Sequence, residues 1–69
     1  MNVTYSADVD VMRILLSDAP IAESSEEKPG VIFDYDAGGQ VVGIEILNAS
    51  QQVLNPRAIE YELLGVAPT

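Results

Sequence analysis

The sequence predicts a mainly β fold, α+β at most: a small antiparallel β-meander of about five to six short strands. Three observations carry this. Val, Ile and Leu recur at period two along the chain, with acids interleaved among them instead of blocked, which is the pattern of a sheet with one wet face. The segment VIFDYD-AGG-QVVGIEILN reads as a hairpin. Hydrophobic residues make up 48% of the chain, too many for a solvated tail.

The elements follow in order. Asn2 to Tyr5 (NVTY) is short and rich in strand formers. Ser6, Ala7 and Asp8 break it, and the Asp8 carboxylate is suited to accept turn N–H groups. Val9 to Leu16 (VDVMRILL) sets Met12, Ile14 and Leu16 on one face and Val11, Arg13 and Leu15 on the other. Ser17 to Pro20 form the next turn. Ile21 to Ser25 reads as an edge strand, because Pro20 and Glu23 both suit an edge. Glu26 to Gly30 then form a polar break.

The central hairpin at 31–48 is the clearest element. Val31, Phe33 and Tyr35 share one face, read as core first and ligand platform second, with Ile32, Asp34 and Asp36 opposite. Ala37, Gly38 and Gly39 turn the chain with a glycine at positive φ in a bulged loop. The return, Gln40 to Asn48, opposes Val42, Ile44 and Ile46 to Val41, Gly43, Glu45 and Leu47. One short helical turn fits near 49–54, with Ser50 as its N-cap.

Residues 56–64 admit two readings. Pro56 and Gly65 suit the two ends of a helix. Ile59, Tyr61 and Leu63 alternating with Glu60 and Glu62 suit a half-buried strand, which the strict alternation favours.

A chain of 69 residues holds a single small domain, 1–69. Burial contributes on the order of 100 kcal/mol at this mass, and ordering the chain costs a similar ~100. With no Cys and no His, neither disulfides nor an ordinary zinc site adds to that balance. Very good packing or self-association is left, so a homo-oligomer is expected.

Charge narrows the function. Eleven acids face Arg13, Lys28 and Arg57, for a net charge of −8. Phosphate neutralisation needs Lys and Arg, so nucleic acid is excluded as a partner, and anionic lipid with it. A charged partner would be basic. No apolar run nears the ~20 residues that cross a bilayer, and nothing resembles a signal peptide, so a cytoplasmic setting is expected.

Few motifs carry chemistry. Asp34-Tyr35-Asp36-Ala37-Gly38-Gly39 through Glu45 nearly follows the calcium loop D-x-[DN]-x-[DN]-G-x₅-E. Gly38 removes the ligand at position five, and both flanks are strands where that loop needs helices. An extended return strand carries Glu45 about 16 Å from the turn. The bland reading, acids that keep a sheet face wet, is the better one. Asp34, Asp36 and Glu45 stay as weak metal candidates. Asp8-Val9-Asp10 and Asp34-Tyr35-Asp36 would each set two carboxylates on one strand face, yet such acids beside turns are commonly solvated. The serines have no His to deprotonate them, and Lys28 lies in the polar break, so no catalytic residue and no cofactor are expected.

Tyr5 followed by Ala7-Asp8-Val9-Asp10, the run VMRILLSD, Pro20 to Glu23 and above all VIFDYDAGGQVVGIEILNAS resemble the bacterial domain-of-unknown-function family 2283. The resemblance covers about residues 1–50 and is most specific over Val31 to Ser50. It implies a β-rich, intracellular bacterial protein with no established enzymatic activity, and for some members a pairing with small toxin-like proteins. Members commonly carry an acid where Gly38 stands here, and the tail after Ser50 is less family-like.

Together these readings point to a small acidic non-enzymatic interaction protein that self-associates through its sheet. The alternative is an antitoxin-like inhibitor that presents Asp34, Asp36, Glu45, Glu60 and Glu62 to a small basic toxin. The third is a calcium- or magnesium-binding protein that uses Asp34 and Asp36.

Overall fold

The computed structural model describes residues 1–65. Five strands, β1 (Asn2–Ser6), β2 (Val11–Leu15), β3 (Glu23–Lys28), β4 (Val31–Tyr35) and β5 (Val41–Leu47), precede one helical turn, α1 (Ala49–Gln52). The strands form a single antiparallel sheet in the order β1-β2-β5-β4-β3. Three pairings join consecutive strands. The fourth, β2 with β5, makes the last strand in sequence the middle strand in space.

The two ends of the sheet are closed differently. At one end, Leu16–Ala22 crosses from β2 to the far edge. It begins with the Leu16 and Ser17 N–H groups donating to the Val42 carbonyl and ends with Ala22 N–H donating to the Tyr35 carbonyl. At the other end α1 bridges two turns. Ala49 N–H donates to the Asp10 carbonyl at 3.0 Å, and the Gln52 amide donates to the Leu47 carbonyl at 2.6 Å and to that of Gly30 at 3.4 Å. Gly30 (φ 79°) accepts the Leu47 N–H as well, and a Cβ there would stand 2.6 Å from Gln52 Nε2.

Several expected boundaries shift. The edge strand lies at Glu23–Lys28, not Ile21 to Ser25, and takes in most of the expected polar break. A strand wet on both faces has no alternation to read. Residues 7–10 are all turn, so Val9 and Asp10 leave the second strand. Asn48 (φ 52°), not Ser50, is the N-cap of α1, because Ser50 already lies inside the helix. The tail at 56–64 is neither strand nor helix, since no neighbouring strand within the chain completes its hydrogen bonds.

The register defines two faces. One carries Val3, Tyr5, Met12, Ile14, Phe33 and Ile44, among others, and is apolar except along β3, which adds Glu23 and Ser25 to it. The opposite one mixes Val11, Leu15, Ile32 and Leu47 with Thr4, Arg13, Asp34 and Glu45. Among the described residues the buried hydrophobic core is Met12, Val42 and Ala49. Val42 is also the extra residue of a β-bulge, where the register steps from Asp34↔Gly43 to Tyr35↔Val41.

Candidate functional site

Asp34 is the one buried charged side chain among the described residues, at 2% exposure. This departs from the expectation that it keeps a sheet face wet. Its cross-strand neighbours are Ser24 on β3 and Gly43 on β5. The Ser24 hydroxyl donates to Oδ1 at 2.5 Å. Oδ2 lies over Gly43, 3.1 Å from where a Cβ would be, and among the described residues it has no hydrogen-bond partner. A side chain at 43 would therefore press on the carboxylate, which would have to give way by a few tenths of an ångström.

The other candidates do not gather around it. Asp36 is locked in the hairpin turn, its Oδ1 accepting the Gly38 and Gln40 N–H groups, each at 2.9 Å. Gly39 supplies the positive φ of that turn, at 82°. Glu45 stands two residues beyond Gly43, half-buried between Arg13 and Ile32. Glu60 and Glu62 are exposed on the tail. Asp8 and Asp10 share a turn and not a strand face. Among the described residues no three His, Cys, Asp or Glu side chains converge as a metal site would need.

The sequence reading missed Asp10, the most connected acid. Its Oδ1 accepts the Tyr5 hydroxyl at 2.7 Å and the Ser50 N–H at 2.9 Å, and its Oδ2 accepts the Ser50 hydroxyl at 2.6 Å. Its backbone is left-handed, φ 57°. The Ser50 hydroxyl, then Tyr5 and the Ser50 N–H, hold the Asp10 carboxyl below the usual aspartate range. The same bond, and the charge behind it, push the Tyr5 phenol up. Tyr35 is pushed up in the same way by its 2.5 Å hydrogen bond to Glu27. Forty residues separate Asp10 from Ser50, so no local pattern announces the pair.

Beyond α1 the tail returns over the apolar face beside β1. The Arg57 guanidinium lies 6.0 Å from the centre of the Tyr5 ring. Val3, Tyr5, Ala7, Pro56, Arg57 and Ile59 line an open cavity of about 340 Å³ there. Apart from the buried Met12 and Val42, the rest of the apolar face is half-buried, Phe33 and Tyr35 included. The carboxylates of Asp10, Asp34 and Asp36 are taken up in holding turns and strands in place.

A family model described as a protein of unknown function, DUF2283, matches residues 2–50. Nothing among curated proteins and nothing among solved structures matches the chain.

Proposed function

Because the chain belongs to the DUF2283 family of proteins of unknown function, we propose that it is a small acidic, non-catalytic interaction protein that self-associates through its sheet. The observation that supports this is the single-layered sheet with its half-exposed apolar face. The molecule exposes 5362 Å², against roughly 4,200 Å² for a compact chain of its mass. The excess of about 1,200 Å² is more than the ~800 Å² that one partner buries in a standard interface. Its Cα radius of gyration, 13.6 Å, likewise exceeds the ~11 Å of a compact chain of this length. Over β1, β2, β4 and β5 this face carries no acid, so like-charged copies of a −8 chain would meet there with little repulsion, Glu23 of β3 being its acidic margin.

Light-scattering mass across micromolar to millimolar concentrations tests this. A multiple of 7.4 kDa that falls on dilution, and falls sooner for Phe33→Lys with its circular dichroism retained, is the expected result. A 7.4 kDa particle at every concentration overturns the reading.

A further inference from the structure

We propose that the tail segment Ile59–Leu64 is an exchange arm, which pairs as an added strand with the β1 edge of a second copy of this chain. The inference rests on the self-association reading and gives it an element and an address.

The tail is built as a strand and has no strand to join. Ile59, Tyr61 and Leu63 alternate with Glu60 and Glu62, yet among the described residues none from 59 to 65 takes part in a backbone hydrogen bond. Its apolar side chains stand in solvent, Tyr61 at 78% and Leu64 at 79% exposure. Chains of groups that need hydrogen bonds, flanked by side chains that need cover, are satisfied together by strand addition to a sheet edge.

The sheet has two edges, and their chemistry chooses between them. β3 presents Glu23, Glu26 and Glu27 and is followed by Pro29, which repels the arm's own Glu60 and Glu62 and blunts pairing. β1, NVTYS, has neither charge nor proline. Its Val3 and Tyr5 lie on the apolar face and Asn2, Thr4 and Ser6 on the other. An arm added there sets Ile59, Tyr61 and Leu63 in line with Val3 and Tyr5, and Glu60 and Glu62 in line with Thr4, so both faces continue in kind. The arm also leaves its own body beside β1, where Pro56, Arg57 and Ile59 border the Val3–Tyr5 cavity. Edge and arm of one copy thus lie together, as a two-fold reciprocal exchange requires.

The chain has no cysteine, which makes a disulfide test clean. Thr4→Cys protein is mixed with Glu62→Cys protein, and separately with Glu60→Cys protein, under mild oxidation, with Glu27→Cys on the β3 edge in place of Thr4→Cys as control. Light-scattering mass and amide exchange are followed on the unmodified chain. The expected results are a mixed disulfide with Thr4→Cys only, slow exchange at 59–63, and a dimer dissociation constant raised about tenfold or more by Tyr61→Lys. A dimeric mass with no mixed disulfide and fast exchange overturns the arm while self-association stands. A monomeric mass overturns both. A double variant, Thr4→Cys/Glu62→Cys, that closes its disulfide only within one chain overturns the exchange and assigns the arm to its own edge.

Discussion

Asp10 and Asp34 spend their carboxylates in opposite ways. Asp10 gathers Tyr5, Ser50 and the start of α1 around a left-handed turn residue. Its carboxyl is held below the ordinary value of 3.8, so the stability it adds is complete above that value and is lost as pH falls through the lower folded value. The melting temperature of the native chain should therefore exceed that of Asp10→Asn at neutral pH, and the gap should close on acidification through pH 4 and below, read by circular dichroism. Asn keeps the tolerance for positive φ, so the comparison removes the charge together with one of the two acceptor oxygens and leaves the turn backbone unstrained. Asp34 instead has one oxygen held by Ser24 and the other unpartnered among the described residues. Ser24→Ala should cost about 1–3 kcal/mol, because it strands a second buried oxygen, whereas Ser24→Ala/Asp34→Val should return to within ~1 kcal/mol of the native chain. Gly43→Ala, which forces a Cβ against Asp34 Oδ2, should cost about 1–3 kcal/mol. Urea unfolding at one fixed protein concentration reads all three.

The turns separate two roles of glycine. Gly39 (φ 82°) has open space where a Cβ would go, whereas Gly30 (φ 79°) has Gln52 Nε2 there. Gly39→Ala should lose only the left-handed penalty, about 1–2 kcal/mol. Gly30→Ala should lose that and the Gln52 clamp, and in a Gln52→Ala background its extra cost should disappear; thermal melts of the four proteins check it. The same elements mark what the sequence made legible. The central hairpin, its glycine turn, β1 and the helical turn near 49–54 follow from alternation and turn chemistry, because each depends on residues close in the chain. β3 was displaced because ESSEEK carries no hydrophobic signal and is a strand only through its pairing with Val31–Tyr35. Asp34 looked solvated because a period-two pattern assigns it to the mixed face without showing that Gly43 opens a space beneath it. The Asp10–Ser50 link is long-range and left no local trace.

For the molecule as a whole, the buried hydrophobic core among the described residues is Met12, Val42 and Ala49, and the proposed self-association would make its stability a function of concentration. The melting temperature should rise with protein concentration, as it must when association favours the native state; equal values across a hundredfold range would count against association. The strand order adds a consequence in time. β5 is made last and sits in the middle, so the ribosome delivers the sheet from its outside inward. A nascent chain that ends near residue 40 holds two hairpins, β1–β2 and β3–β4, with an empty lane between them. Two-stranded ribbons are marginal in water, and the β2–β5 pairing that unites them spans the longest stretch of sequence in the sheet. A purified chain truncated near residue 40 should be digested readily by protease, and protection should arrive in one step in chains that extend past residue 47.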